Sequence, residues 1–570
     1  MWKVKPNNKE REKLLVEQGV NRLLARLVSQ RDIAMDDMEL FLSPDYNKIS
    51  HPHKIHDMEK AVDLFLEAVL KKKKIAVLGD YDCDGVVSCV MMKELCRALD
   101  HDCDVFLPSR LLHNYGLSGK SAKAFKERHE DNIPYIVFLL DCGSNNFDEI
   151  EDLRKMGVEK IVVVDHHLIG EKGSFNADCF VNWHLSEDQK EMCTCGLMFQ
   201  FARGVRWKTK KVNTISFLTY AAIGTIADIS PIIGDNRVIV KNGLASHALN
   251  SVPSAGLHSL LSVMDKKILG KGYLTQEDVT FQIGPRINAV GRINHPDIVY
   301  SLLIDTDPGS ADKTAQYVNS FNAERKDIQK KAEIEALQRI TDEDYPYGVF
   351  VLDKEWHIGV AGIVASRLVE EFGKPTIVVG QFEGVWRGSG RSILGVNIKE
   401  ILDDCSEMFV TYGGHEMACG VTLKDEYVDK ANGLFNAACK RYYDKHKTNM
   451  ERFKYYDAAL KLDAITNDNA NLLVEKLAPY CGELNPEPVF MLKGVTIIEP
   501  EIKEFQKGKY VLLKLKVMKD GKKLEHPFIS FQLSKRFGYE IDGKVMNVYF
   551  KFPQSPESKF ELQLVDLEET

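Results

Sequence analysis

Three short runs of apolar residues, each ending in an acidic loop, constrain the fold of this chain more than any other feature. The runs occupy residues 75–78, 133–140 and 160–164, and stretches with helical character separate them. Short β-branched runs with long helical spacers are typical of βαβ units, whose parallel strands are buried on both faces. The sequence therefore predicts an α/β fold with a parallel sheet. Each acidic loop then falls at the carboxyl end of a strand, where such sheets bind ligands.

The acidic loops supply the candidate functional residues. Residues 80–84 contain three aspartates, residue 141 is an aspartate, and residues 165–167 read Asp-His-His. A further aspartate follows an apolar, helix-like stretch in GTIADISPI (residues 224–232). The complete cluster is Asp80, Asp82, Asp84, Asp141, Asp165, His166, His167 and Asp228.

Each of these residues, taken alone, has an ordinary structural explanation, because an aspartate after a strand is commonly a helix cap or a turn residue. Three acidic loops at successive strand ends, one with a double histidine, are harder to explain in that way. Carboxylates held close together repel one another unless a cation neutralises them. Oxygen ligands with one or two imidazoles suit Mg²⁺ or Mn²⁺, and two such ions about 3.5–4 Å apart serve phosphodiester hydrolysis. The pattern predicts a site for two Mn²⁺ or Mg²⁺ ions.

Length and composition limit the class of protein further. The chain has 570 residues, more than a single hydrophobic core supports, so several domains are expected. Its net charge of −8 excludes a uniformly basic nucleic-acid-binding protein but allows a local basic groove. The twelve cysteines are scattered, which favours a reducing cytoplasm. We find no apolar signal core and no apolar run long enough to span a membrane.

The rest of the chain indicates further units. Residues 308–340 are predicted to form one long connector helix, and a second α/β unit follows. The tail contains many short β-like runs and an Asp520-Gly521 hairpin turn, which suits a small β-barrel. The expected units are an N-terminal helical segment (1–48), a catalytic domain (49–245), a helical extension with the connector helix (246–340), a smaller α/β domain (341–452) and the barrel (453–570).

The order of these motifs resembles that of the DHH phosphoesterase superfamily. GDYDCDGVVS, DCG, DHH and GTIADISPI are similar to its metal-site motifs, and LPSRLLHNYGLS and FQIGPRINAVGRI resemble the RecJ branch. HIGVAGIVASRL, RGSGRSILGVNI and GGHEMACG resemble the DHH-associated domain, and the tail takes the position of the RecJ oligonucleotide-binding (OB) barrel. The resemblance therefore implies a parallel-sheet DHH domain, a long helix, a smaller α/β DHH-associated domain and an OB-like barrel.

The resemblance also implies roles for the cluster. Asp82, Asp84, Asp141, His166 and Asp228 match the family's metal ligands, with Asp141 bridging the two ions. His167 matches the position that faces the scissile phosphate, Asp165 would orient the histidine pair, and Asp80 joins these two in the catalytic set. The sequence departs from the family pattern at Asn114, at Cys419 and in PYCGELNPEP, none of which removes a carboxylate or a histidine.

The substrate-binding candidates are mainly arginines in glycine-rich or irregular contexts, where bidentate contacts with phosphate are possible. The resemblance implies that Arg110, Arg286, Ser389 and Arg391 hold a 5′ end. The remaining candidates in the same motifs are Tyr115, Asn288, Arg292, Gly413, Gly414 and His415.

The barrel offers a second candidate surface for a nucleic acid. Eight lysines lie between residues 503 and 523, and Tyr510, Lys514 and Lys516 share one face of a strand whose other face is apolar. Such a face suits single-strand binding by stacking and phosphate contact. An edge strand that uses lysine against aggregation explains the pattern equally well.

Together, motifs and resemblance predict a metal-dependent exonuclease that degrades single-stranded DNA from the 5′ end and releases 5′-mononucleotides in DNA repair and recombination. The polarity and the product come from the resemblance alone. Two alternatives are a phosphoesterase for small substrates, such as short oligonucleotides, nucleoside bisphosphates or pyrophosphate, and an inactive replication scaffold. We expect a cytoplasmic monomer, with a single-strand-binding protein and a helicase as possible partners.

Overall fold

The computed structural model describes residues 2–113, 116–170, 173, 175–188, 190–264, 266–341, 343–446, 454–480, 484–505, 510–553 and 560–570. Three sheets dominate this part of the chain: a parallel sheet, a mixed sheet and a closed barrel. Among the described residues, no helix combines the length and the apolar character that crossing a bilayer requires.

The first lobe is built on a five-stranded parallel sheet, as the apolar runs predict. Its strands lie in the spatial order Cys103–Phe106, Ile75–Gly79, Ile136–Leu140, Lys160–Val164 and Cys179–Val181. The three central strands are almost entirely buried, which explains why they read as continuous apolar runs rather than as alternating patterns. The helices of the lobe are Met58–Leu70, Cys83–Arg97, Arg110–His113, Gly119–His129, Phe147–Lys155, Thr194–Thr209, Ile215–Ala227 and Gly234–Gly243.

A helical extension joins this lobe to the next. Its helices are Ser246–Leu249, Ala255–Ser262, Lys266–Lys271, Gln276–Asp278, Gly284–Ile293 and Asp297–Ile304, with a wider π-helical turn at Val279–Ile283. The predicted connector is confirmed as a single helix, Pro308–Arg339, whose N-terminus is capped by the Asp307 carboxylate.

The second lobe contains a mixed five-stranded sheet. The strands lie in the order Phe409–Gly414, Ala418–Leu423, Val385–Arg391, Thr376–Phe382 and Val349–Leu352, and only the last two pair in parallel. Helices Ala361–Phe372, Ile398–Asp403 and Ala431–His446 cover it. The face of strand Val385–Arg391 that carries Arg387, Ser389 and Arg391 is directed towards the first lobe.

The C-terminal sheet closes into a five-stranded barrel, which confirms the predicted OB-like architecture. Strand Phe490–Phe505 pairs on one side with Tyr510–Lys519 and on the other with Val545–Lys551. The ring closes through Leu562–Glu569 and Phe528–Ser530. The remaining elements are strands Lys454–Tyr456, Ala458–Leu460 and Lys522–Lys523 and helix Asn467–Lys476.

The N-terminal segment packs against the barrel, although more than 400 residues separate the two in sequence. It consists of strand Trp2–Val4 and helices Lys9–Glu17, Arg22–Ser29 and Met38–Leu42. The strand pairs in parallel with Lys454–Tyr456, and the apolar side chains of the helices share one core cluster with those of the barrel. The buried Arg31 guanidinium donates hydrogen bonds of 2.8 Å to Asn485 Oδ1 and to the Pro486 carbonyl.

Candidate active site

Parallel pairing brings the three acidic loops together. Gly79 is paired with Leu140, and Leu140 is paired with Val164, so the next residue of each strand stands at the same edge of the sheet. Those residues are Asp80, Asp141 and Asp165. The alignment is a consequence of strand register alone, as expected from the sequence. We call the eight residues predicted above the carboxylate–histidine centre.

The loop of residues 80–84 turns directly into a helix. Asp82 is the N-cap of helix Cys83–Arg97 and accepts a hydrogen bond of 3.1 Å from the Gly85 amide. A side chain at Gly85 would meet the Asp80 carbonyl at 2.6 Å, so the turn requires glycine there. Asp80 itself accepts a bond of 2.9 Å from the Gly116 amide.

Asp84 is buried and faces the start of a second helix, Thr194–Thr209. Its two carboxylate oxygens accept hydrogen bonds of 2.8 Å each from the amides of Thr194 and Cys195. The first amides of a helix have no partner within the helix, and its dipole favours negative charge there. The helix therefore holds the Asp84 carboxylate in one orientation.

Asp141 lies at the middle of the centre. Its backbone has a positive φ of 61°, a conformation that aspartate tolerates better than most residues. Its carboxylate accepts a bond of 3.0 Å from the Thr194 hydroxyl and stands 3.4 Å from Nε2 of His166. The same imidazole nitrogen is 3.8 Å from Asp228 Oδ1 and 4.0 Å from Asp84 Oδ2. His166 thus faces three carboxylates at once.

Asp165 accepts hydrogen bonds from both residues of the histidine pair. One of its oxygens accepts a bond of 2.8 Å from the His166 amide and one of 2.7 Å from His167 Nδ1, while the other accepts one of 3.0 Å from the Ser144 amide. Burial opposes ionisation of Asp165, but the charge and hydrogen bond of His167 outweigh it and hold the pKa of this carboxyl below its usual range. Although burial works against the imidazolium, Asp165 raises the pKa of His167 to about 10.

Asp228 enters the centre from the end of helix Ile215–Ala227. It is the C-cap of that helix, and its Oδ2 accepts a hydrogen bond of 2.6 Å from the Ser230 hydroxyl. Although the sequence gives Asp228 no strand of its own, the structure places it beside His166.

The electrostatics of the centre fit a bound cation. Burial, together with the neighbouring Asp84 and Asp82, raises the pKa of Asp141 well above its ordinary value. Burial and Asp82 raise the pKa of Asp80 to about 7, and burial is also the main cause that raises the pKa of Asp228 to about 7. Among the described residues, two sets of side chains have ligand atoms within 4.8 Å of one another: Asp141 with His166 and His167, and Asp80 with Asp82 and Asp141. Such packing of carboxylates is tolerated when a cation neutralises them.

The motif RINAVGR contacts the acidic loop of residues 80–84 through a hydrogen bond. It lies on helix Gly284–Ile293, and Asn288 Oδ1 accepts a hydrogen bond of 2.8 Å from the Cys83 amide at the start of helix Cys83–Arg97. The structure thus gives Asn288, a predicted substrate ligand, a contact with the loop that carries Asp82 and Asp84.

A groove of about 960 Å³ lies between the two lobes and reaches this loop. Tyr81, between Asp80 and Asp82, lines its floor, and the Arg110 guanidinium lies 5.4 Å from the centroid of the Tyr81 ring. None of its described lining residues is acidic. The predicted residues that line it are Arg110, Arg292, Ser389, Arg391, Gly413, Gly414 and His415, and Lys120 and Arg387 add to its positive charge.

Other predicted substrate residues lie elsewhere. Arg286 is buried and donates hydrogen bonds to Asn319 Oδ1 (2.9 Å) and Gln282 Oε1 (2.8 Å). It is not among the described residues that line the groove. Tyr115 and the side chain of Tyr510 lie outside the described residues.

Several lysines of the barrel lie close to carboxylates, which the sequence alone does not show. Lys516 forms an ion pair of 2.9 Å with Glu499, and Lys523 pairs with the same carboxylate. Lys514 stands opposite Glu501 on the neighbouring strand. The count of lysines between residues 503 and 523 overstated the charge of this surface, because the facing strand contributes carboxylates that the count omitted.

Three polar residues around the carboxylate–histidine centre could not be recognised from the sequence. Thr194 contacts Asp141 and Asp84, Ser144 contacts Asp165, and the Asn182 amide donates to the Ser144 hydroxyl (3.1 Å) and to the His167 carbonyl (2.9 Å). The only available signal for Thr194 was a threonine before an apolar helical run, which is typical of any helix start.

Comparison with known proteins agrees with this geometry. Residues 74–225 match the model of the DHH family N-terminal domain, residues 344–441 match the DHHA1 domain, and residues 456–555 match the RecJ OB domain. Fold and domain matches thus define a DHH-family protein with an OB barrel.

The relatives narrow the class further. The chain is 30% identical to the single-stranded-DNA-specific exonuclease RecJ of Haemophilus influenzae over 77% of this chain and 78% of that protein. It is 29% identical to the RecJ of Bacillus subtilis over 87% of this chain, but the match spans only 62% of that relative's length. The chain belongs to the RecJ family.

Solved structures support the same fold. A crystal structure of RecJ from Thermus thermophilus in complex with Mn²⁺ matches all of this chain and 79% of that chain, with a TM-score of 0.79 at 23% identity. A second structure, of exonuclease RecJ bound to manganese, matches 69% of this chain and 97% of that chain, with a TM-score of 0.61 at 28% identity.

Proposed function

We propose that this protein is a metal-dependent exonuclease that degrades single-stranded DNA from its 5′ end. One observation carries the proposal: a cationic groove whose described lining contains no carboxylate reaches Tyr81, which stands between Asp80 and Asp82 of the carboxylate–histidine centre. A polyanionic strand is attracted into such a groove, and divalent cations held at the centre would offset the repulsion between its carboxylates and the phosphates. The curated relatives are single-stranded-DNA-specific exonucleases, which supports the same assignment.

Two divalent cations would be held by Asp82, Asp84, Asp141, His166 and Asp228, as the family resemblance implies. These donors are carboxylate oxygens and one imidazole, which suit Mn²⁺ or Mg²⁺, and RecJ from Thermus thermophilus has been crystallised with each of these ions. When bound, such ions supply an activated water and neutralise charge on the phosphate.

The residues of the chain itself orient the substrate and hold protons. Asp165 accepts the Nδ1 proton of His167, which fixes the ring and leaves Nε2 to donate to a phosphate oxygen. Because Asp165 keeps His167 in its charged form, this donor also offsets negative charge that develops on the phosphate. Arg110, Ser389 and Arg391, on the walls of the groove, would hold the phosphate at the 5′ end.

The proposal is tested with single-stranded DNA labelled at its 5′ or 3′ end, incubated with Mn²⁺ or Mg²⁺ beside a matched duplex. The expected result is progressive loss of nucleotides from the 5′ end of the single strand only, abolished by Asp141→Ala. Hydrolysis of dinucleotides or pyrophosphate with intact long strands would retain the centre but overturn the role of the groove. An inactive protein that still binds Mn²⁺ would indicate the scaffold alternative.

Three finer assignments complete the proposal. The described cysteines are all free thiols, which supports a reducing, cytoplasmic setting. A monomeric state and an association with a single-strand-binding protein and a helicase remain predictions from the sequence.

A further inference from the structure

Ile229, the residue directly after Asp228, has an unfavourable backbone conformation. Its φ of 63° lies in the left-handed region, where a β-branched side chain collides with the backbone. The Ile229 amide bonds to the Ile226 carbonyl (3.1 Å) and the Ser230 amide bonds to the Thr225 carbonyl (3.1 Å). In helix ends of this type the left-handed position is usually glycine or asparagine. The conformation of the turn therefore does not explain why this residue is isoleucine.

Packing does not explain the choice of isoleucine. The Ile229 side chain is 67% exposed, whereas the next residue, Ser230, is buried and donates to Asp228. The neighbours thus carry the structural contacts, and the strained residue presents an apolar side chain to solvent. Strain that the fold does not need is most often found at functional sites.

Ile229 directly follows a residue of the carboxylate–histidine centre. That residue is Asp228, whose Oδ1 lies 3.8 Å from His166 Nε2. A second exposed apolar side chain, Phe281 (65% exposed), lies in the π-helical turn one helical turn before Gly284. A Cβ at Gly284 would lie 3.5 Å from that of Ala227, so this turn packs next to the segment that carries Asp228. π-helical turns are frequent at functional sites.

We propose that Ile229 contacts the base of the nucleotide whose phosphodiester bond lies at the carboxylate–histidine centre. This inference rests on the proposed function, because a nucleic acid strand bound with its phosphate at Asp228 places a nucleoside beside that phosphate. An apolar side chain contacts every base in the same way, so the contact holds the nucleotide without reading its identity. The left-handed backbone directs the side chain outward while Asp228 remains directed inward.

The test compares wild type, Ile229→Gly and Ile229→Asn on two labelled single strands. One strand is unmodified, and the other has abasic sites at its first two 5′ positions. Because glycine and asparagine tolerate the left-handed conformation, both variants should melt at or above the wild-type temperature. Both should lose about tenfold in kcat/KM on the unmodified strand. On the abasic strand, where the proposed contact is missing, all three proteins should be equally active.

Equal losses on both strands would overturn the inference, since a disturbed Asp228 would affect any substrate. A lower melting temperature of both variants would overturn it too, by showing that Ile229 stabilises the fold. Failure of the proposed function is distinguishable from both outcomes: wild type would then leave the unmodified strand intact. Binding of Mn²⁺ to Ile229→Asn, measured by calorimetry, should match that of wild type.

Discussion

The Thr194 hydroxyl donates a hydrogen bond of 3.0 Å to the Asp141 carboxylate from a helix that begins 53 residues further along the chain. The same residue donates its amide to Asp84. One residue thus touches two carboxylates that belong to different acidic loops, and it fixes their separation.

Replacement of this hydroxyl should weaken metal binding. In Thr194→Val the backbone bond to Asp84 persists, but the Asp141 carboxylate loses its donor and becomes free to rotate. We expect the affinity for Mn²⁺ to fall about tenfold, since outer partners of metal ligands typically have effects of this size. Titration followed by electron paramagnetic resonance measures it. Thr194→Ser keeps the hydroxyl and should restore the affinity; equal affinities of the valine and serine variants would contradict the role of this hydrogen bond.

Asp141→Asn should stabilise the protein without metal and abolish its stabilisation by metal. Burial and the neighbouring Asp84 raise the pKa of Asp141, so an uncharged amide relieves repulsion that the carboxylate causes. Mn²⁺ at 100 times its dissociation constant should raise the free energy of unfolding of the wild type by about 2.7 kcal/mol. Thermal unfolding with chelator and with Mn²⁺ measures both effects. A variant that is less stable than wild type in chelator would show that the contacts of the carboxylate with Thr194 and His166 outweigh the repulsion from its neighbours.

Gly420→Val should block the groove without disturbing the fold. Gly420 pairs with Gly413 and Ser389 on adjacent strands of the second lobe, and a Cβ at this position would have no neighbour within 4 Å. The added side chain therefore enters the space proposed for the DNA strand, and the dissociation constant for single-stranded DNA should rise about tenfold or more. Fluorescence anisotropy in chelator measures it. Gly433→Ala, at an exposed position of helix Ala431–His446 with equally open space, is the control and should bind like wild type. Unchanged binding by the valine variant would place the strand elsewhere.

Arg237→Met should loosen the barrel from the first lobe. Arg237 is fully buried, and its guanidinium donates to the carbonyls of Phe41, Lys476, Leu477 and Ala478, three of which lie at the C-terminus of helix Asn467–Lys476. A cation at that end of a helix is favoured by the helix dipole. Methionine of similar size leaves these carbonyls without their donor, which costs about 3 kcal/mol or more.

The loss is measured by denaturant unfolding and by proteolysis of the segment between the second lobe and the barrel. Arg441→Met removes a half-exposed arginine that pairs with Asp404 and should be nearly neutral. If the two variants were equally stable, the Arg237 contacts would not hold the barrel.

The sequence predicts those parts of the site that follow from strand register. Asp80, Asp141 and Asp165 each directly follow a buried parallel strand, so their common edge of the sheet can be predicted from the apolar runs. Thr194 and Asn288 reach the centre from distant helices, and no local pattern encodes such contacts. The ion pair of Lys516 with Glu499 could not be predicted for the same reason, because Glu499 lies on a neighbouring strand. The role of Lys516 in substrate binding stays a prediction. The strain at Ile229 is a backbone property that apolar patterning cannot reveal.

The packing of the N-terminal segment against the barrel has a consequence for biosynthesis. Arg31 and its partner Asn485 are 454 residues apart, and a ribosome adds about 5–20 residues per second. The apolar faces of helices Lys9–Glu17 and Arg22–Ser29 therefore emerge roughly 20 to 90 s before the strands that cover them. During that interval both lobes can fold, while these two helices still lack the strands that cover them. A segment translated before both lobes is thus among the last to find its partner.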